Sequence, residues 1–173
     1  MATLIIKIMI TQPNGYCNMF ADDVAIYTTG KSVNDVQYSL QNCVTNVNDW
    51  YEYNRLSVNS KKSNVMLIGS QRSIRSNAVN LDINMSGNRL EQVSSTRYLG
   101  IHIDNMMKWD THVQNVCRNV SAKLATLNRV AKFLSRDVLT KIYCTSILPV
   151  IDYACSVWGN CSDFNKNMIY RLQ

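Results

Sequence analysis

The sequence predicts an α+β chain: a mostly antiparallel β unit carrying one long helix, followed by an all-helical segment. Three observations predict it. Short apolar or alternating runs, punctuated by Gly and Asn, fill residues 16–30 and 65–103. Between them Val36, Leu40, Cys43, Val44, Val47, Trp50 and Tyr51 recur at spacings of mostly three and four, one face of a helix. From Trp109 onward the spacing is helical throughout. The 173 residues are 46% hydrophobic and 17% charged, enough apolar mass for a core and too little charge for disorder as the main state.

The elements follow in order. Residues 4–10 fit a buried strand, and Gln12-Pro13-Asn14-Gly15 a turn, because Pro fixes φ and Asn-Gly tolerates the left-handed region. Residues 16–20 and 24–28 are β-rich runs flanking Asp22-Asp23, with Gly30 closing the second. They predict a hairpin with both carboxylates at its tip. Residues 32–54 predict a helix capped by Ser32, with Asp35 in its first turn. Leu56-Ser57-Val58-Asn59 is extended, residues 60–64 form a basic turn, and 65–68 form a strand stopped by Gly69. A polar loop over 70–80 precedes Leu81, Ile83 and Met85, which alternate before a Ser86-Gly87-Asn88 turn. Residues 98–103 read as one further strand.

Asp110 stands where a cap would open the next helix. Val113, Val116, Cys117, Val120, Leu124, Leu127, Ala131 and Leu134 fall on one face of it at about 100° per residue. Arg118, Arg129, Lys132 and Arg136 cluster on the other, with Lys123 the outlier. A second helix runs from Arg136 to Leu148, where Pro149 breaks or kinks it, and apolar spacing continues to Trp158 before Gly159-Asn160 ends it. A third opens at Phe164 and meets the C-terminus unfinished, a sign of truncation.

Charge divides unevenly. Residues 1–104 hold nine Lys and Arg against eight acids, and residues 105–173 hold nine against four. The basic second half points to an anionic partner, nucleic acid first, or to a surface that cations keep soluble; charge alone does not choose. The six cysteines show no two-residue spacing of a zinc or redox motif, so free thiols in a reducing compartment are expected. No run approaches the roughly 18 apolar residues of a membrane helix. Residues 4–10 also lack the basic start and cleavage site of a signal peptide. The expectation is an intracellular protein, nuclear or cytoplasmic, with no membrane partner.

Asp22-Asp23 is the sharpest chemical feature. Carboxylates at a hairpin apex can converge on divalent ions about 3.5–4 Å apart, as two-metal phosphoryl transfer requires, and magnesium prefers such hard oxygens. The competing reading is a solvated turn, and the flanking hydrophobic runs leave the two in balance. His102 and His112 have no metal-ligand company and read as structural, and Trp50, Trp109 and Trp158 read as core.

The downstream order adds to this. Phe20-Ala21-Asp22-Asp23 resembles the catalytic hairpin of reverse transcriptases. Leu56-Ser57-Val58-Asn59 with Lys62-Ser63 resembles that family's next palm motif, and Tyr98-Leu99-Gly100-Ile101 its primer grip. Trp109-x-x-His112, the basic helix and Leu148-Pro149 through Tyr153 to Val157-Trp158-Gly159 resemble the thumb of non-LTR retrotransposon (LINE) polymerases of the jockey and CR1 kind. The resemblance implies a partial palm over 16–105 and a helical thumb over 106–173, with residues 1–15 unmatched.

It also implies roles. Asp22 and Asp23 would hold Mg2+, weakly or not at all in this chain. Lys62, if not an ordinary turn lysine, would stabilise the leaving pyrophosphate. Tyr98, Leu99 and Gly100 would hold the primer end, where Gly allows close backbone approach. Arg118, Arg129, Lys132 and Arg136 would lie against phosphates, a grip that positions a duplex without reading its sequence. The implied partners are an RNA template, a DNA primer and a further chain supplying the missing palm and fingers. The first palm Asp and the Gly-rich nucleotide-pocket segment have no counterpart before Phe20, so two-metal nucleotidyl transfer belongs to the full-length enzyme and none is expected of this chain alone. The alternatives are a non-catalytic nucleic-acid-binding remnant and a relic without function.

Overall fold

The computed structural model describes residues 2–5, 16–20, 23–56, 59, 62–70, 74 and 80–172. The chain divides into two compact units, 1–107 and 108–173, the first mixed α and β and the second helical among the described residues.

In the first unit β1 (Ala2–Ile5) is a central strand. It pairs antiparallel with β4 (Thr29–Gly30) on one side and β5 (Asn64–Ile68) on the other, and β5 pairs parallel with β8 (Glu91–Gln92). β2 (Tyr16–Phe20) and β3 (Asp23–Tyr27) form a separate antiparallel hairpin. Val65, Met66, Leu67 and Ile68 are all buried, as a central strand covered on both faces requires.

Helix α1 (Val33–Tyr53) packs on this sheet. Ser32 caps it by accepting the Asp35 N–H at 3.1 Å, and Val33, Val36, Leu40, Cys43, Val44 and Val47 form its buried stripe. They meet Val24 and Ile26 of β3, Val65 and Leu67 of β5, and Leu81, Ile83, Met85 and Leu90 in one core. Trp50 is only half-buried, at the far end of the stripe. The helix ends in a Schellman arrangement: Leu56 N–H reaches Tyr51 O at 2.8 Å and Arg55 N–H reaches Glu52 O at 3.0 Å, with Arg55 at φ 56°.

The strand pair β6 (Asn84–Met85) and β7 (Asn88–Arg89) turns through Ser86 and Gly87, both at positive φ. Two amides of α1 brace the approach to it. Gln41 donates to Asn84 O at 2.9 Å and accepts from Asn84 N at 2.8 Å, and Gln37 accepts from Asp82 N at 3.4 Å.

One sequence expectation fails here. Residues 98–103 are not a single strand: β9 (Ser95–Tyr98) and β10 (Ile101–Asp104) form an antiparallel hairpin with Tyr98 opposite Ile101. Its two connecting residues, Leu99 at φ 46° and Gly100 at φ 81°, both occupy the left-handed region, as a tight turn matched to strand twist demands. Leucine is rare in that conformation, so Gly100 is the sole turn signal between the two strands in sequence.

In the second unit α2 (Asp110–Val130) leads through a 3-10 turn (Ala131–Phe133) to α3 (Arg136–Ile142). Trp109, at φ 68°, and not Asp110, is the N-cap. Asp110 lies inside the first turn and accepts from Asn165 Nδ2 at 2.8 Å. Pro149 does not end the next helix. A π-helical stretch (Tyr143–Ile147) precedes it and passes into α4 (Leu148–Asp152), because the wider turn makes room for a ring with no N–H to give. The break comes later, at Tyr153 and Ala154, where Ala154 has φ 51°. Then follow α5 (Cys155–Trp158) and α6 (Asp163–Tyr170), the latter capped by Ser162.

Candidate functional site

The acid pair comes first. Register places Phe20 opposite Asp23, Asn18 opposite Ala25 and Tyr16 opposite Tyr27. Strand alternation then sends Val24 and Ile26, each 2% exposed, into the α1 core and puts Asp23 on the other face. That face carries Phe20, 66% exposed, and a Tyr16–Tyr27 stack with ring centroids 5.0 Å apart. Asp23 is half-buried at the start of β3. Asp22 lies outside the described residues, as does Ala21.

Lys62 is exposed, and its N–H donates to Asn59 O at 3.0 Å. Beside it Ser63 is buried and its hydroxyl donates to the same carbonyl at 3.2 Å. β4 and β5 both run antiparallel to β1, with Gly30 opposite Ala2 and Met66 opposite Ile5, so Lys62, just ahead of β5, lies at the end of that sheet toward which β1 runs. Asp23 belongs to the separate β2–β3 hairpin.

Tyr98 and Leu99 are half-buried and Gly100 is exposed at the tip of the β9–β10 hairpin. On that hairpin Ile101 and Ile103 are buried, while Arg97 lies opposite His102 on the alternate face. His102 is half-buried and His112 fully so.

In the second unit Arg118 and Arg129 are exposed on α2. Eleven residues at about 100° each place them within roughly 20° of one another. The stripe does not continue along one helix. Lys132 is in the 3-10 turn with its ammonium 5.0 Å from the Phe133 ring centroid, and Arg136 opens α3 beyond the extended Leu134. Lys123, the outlier by spacing, donates to Ser146 O at 2.7 Å, in the π-helical stretch just ahead of Pro149. It is a structural cation that sequence periodicity could not find, because its partner lies 23 residues on. Trp109 and Trp158 are each 4% exposed, His112 packs on Trp158 at 5.4 Å, and Trp158 Nε1 donates to Tyr153 O at 2.9 Å. The Trp109-x-x-His112 and Tyr153-to-Trp158 motifs thus build this unit's core. Burial pushes the Cys117 and Cys161 thiols above their ordinary range.

The donor chemistry of the acid pair fits a hard cation such as magnesium. Among the described residues, however, no group of three His, Cys, Asp or Glu side chains could hold a metal. No described helix is long and apolar enough to cross a membrane.

The chain belongs to the reverse transcriptase (RNA-dependent DNA polymerase) family, which it matches over residues 1–103. That match takes in residues 1–15, expected from the motifs to lie outside the resemblance; of these, Ala2–Ile5 form β1. Over 147 residues the chain is 30% identical to a retrovirus-related Pol polyprotein from the type-1 retrotransposable element R1 2 of Nasonia vitripennis, covering 80% of the chain and 35% of that protein. Over 158 residues it is 25% identical to a probable RNA-directed DNA polymerase from transposon BS and 24% identical to the RNA-directed DNA polymerase from mobile element jockey, both of Drosophila melanogaster. Each of these alignments covers 89% of the chain and 17% of the relative. The chain therefore spans about a third or less of these relatives. No solved structure matches it.

Proposed function

We propose that the chain is the C-terminal part of the palm, followed by the thumb, of a LINE-type retrotransposon reverse transcriptase. In this reading it holds an RNA template and DNA primer for nucleotidyl transfer. The observation that supports it best is the hairpin register. Phe20 pairs with Asp23 at the end of the β2–β3 hairpin, which supports an acid presented where a polymerase hairpin would present it.

In this reading Asp22 and Asp23 hold the divalent ion, which when bound would stabilise charge on the transferring phosphoryl group. Lys62 places a cation toward the leaving pyrophosphate, where a fixed positive charge favours its departure. The left-handed turn at Leu99-Gly100 brings backbone rather than side chain to the primer end. Arg118, Arg129, Lys132 and Arg136 neutralise backbone phosphates without reading bases. Exposed Phe20 meets the primer terminus beside the acids.

Iron substitution tests the acid pair. With Fe2+, ascorbate and peroxide, the chain bound to an end-labelled template–primer should cleave the primer near its 3′ end, and Asp22→Asn with Asp23→Asn should abolish that cut. Cleavage scattered along the duplex, or unchanged in the double variant, would refute the assignment. In a primer-extension assay the 173-residue chain should yield no product with Mg2+ or Mn2+, because two carboxylates leave a two-metal centre short of ligands. Nucleic-acid binding that survives Asp22→Ala in a chain showing no local cleavage would point instead to a non-catalytic binding remnant.

A further inference from the structure

An aromatic ring stands out of the surface at the corner between α2 and α3. Phe133, the last residue of the 3-10 turn, is 77% exposed. Lys132 holds its ammonium 5.0 Å from the ring centroid. Arg129, one turn earlier, and Arg136, three residues later, are both exposed. Between Asp110 and Asp137 the sequence has no acidic residue, and the nearest acid to this corner is Asp137, beside Arg136 in the first turn of α3. Val130, 39% exposed, and Val138, 40% exposed, are further exposed apolar residues three positions before and five after it in sequence.

A ring this exposed adds little to the core, and its hydration is unfavourable. A planar ring among cations is suited to an unpaired nucleotide. The base stacks on the ring while its phosphates meet the guanidinium and ammonium groups. In a duplex both faces of each base are covered by its neighbours, so the same ring finds no face to stack on. Strand state, and not sequence, is what this corner can discriminate.

We infer that Phe133 is a base-stacking contact for single-stranded nucleic acid, with Arg129, Lys132 and Arg136 on the flanking phosphates. The inference rests on the nucleic-acid reading above and adds to it a site that distinguishes an unpaired strand from a paired one.

The two components respond differently to salt. Phosphate contacts release counterions and set the slope of log affinity against log salt, whereas stacking does not. The test is fluorescence anisotropy of the whole chain with a 5′-labelled single-stranded oligonucleotide and with the same strand closed into a hairpin duplex. Phe133→Ala and Phe133→Leu should each weaken single-strand binding about tenfold at unchanged salt slope. Phe133→Trp should restore it, with indole quenching on binding, and duplex affinity should stay the same throughout. Arg129→Ala should lower the slope by about one. Thermal melts of each variant should match the parent, since the ring is outside the core.

Single-strand binding indifferent to Phe133→Ala would overturn the inference and leave the nucleic-acid reading standing. No binding of either oligonucleotide by the parent chain would overturn both. Phe133-dependent binding confined to anionic vesicles or to an acidic peptide would give the corner to those partners and equally overturn it.

Discussion

Arg55 holds a left-handed conformation that an L side chain resists by roughly 1–2 kcal/mol. Its φ of 56° is imposed by the Schellman bonds that close α1. Arg55→Gly removes the Cβ conflict while making the unfolded chain more flexible, so a net gain of about 0.5–1 kcal/mol is expected in urea unfolding. Gly159 is the opposite case. A Cβ there would run into the Cys155 carbonyl oxygen, which is backbone and cannot swing away. Gly159→Ala should cost about 1–3 kcal/mol, read as a lower melting temperature. The thiols add a pH dependence. Burial raises Cys117 and Cys161 in the folded chain, so the unfolded chain loses those protons first. Stability is intact below the ordinary thiol range and falls as pH rises through it, and Cys117→Ala should flatten that fall. Exposed Cys144 and Cys155 should react with a thiol reagent at pH 8 well before buried Cys117 and Cys161.

Helix α1 was legible in the sequence almost residue by residue, because its signals are local: Ser32 three positions before the N–H it caps, and a stripe at three and four. The hairpin that bends at Leu99-Gly100 was not, since a leucine at positive φ follows from strand register and twist and the lone Gly100 beside it reads equally as an interruption within one strand. Pro149 marks a distortion of the helix and not its stop, with the π-helical stretch just before it and the ring in the first turn of α4. A proline is a helix stop only where the turn before it cannot widen, and Tyr143–Ile147 does widen. The bracing of Asn84 by Gln41 depends on partners 43 residues apart, which no periodicity carries. Gln41→Ala leaves the Asn84 N–H and C=O to solvent and should cost about 1 kcal/mol. The cations of α2 are separable in the same way. Lys123→Ala should lower the melting temperature through loss of the Ser146 contact while leaving the salt dependence of nucleic-acid binding unchanged. Arg118→Ala and Arg129→Ala should do the reverse.

Across the whole chain, the order of short motifs identified the family because each motif fixes a residue type at a point where chain direction changes: a hairpin end, a turn before a strand, a helix start. A metal centre depends instead on side chains from strands distant in sequence, and a pair of adjacent acids cannot reveal how many others join them. The two units divide the labour in the proposed reading, the first presenting acids and the second gripping phosphates. The grip is the more directly measurable half. The deciding measurement is the affinity of the chain for an RNA–DNA hybrid duplex across a salt series, for the parent, for Arg118→Ala with Arg129→Ala, and for Asp22→Ala with Asp23→Ala. Log affinity should fall linearly with log salt, the arginine pair should reduce the slope by about two, and the aspartate pair should leave it unchanged. Affinity that is absent at low salt, or a slope that ignores both arginines, would contradict the assignment of the helical unit to template–primer binding.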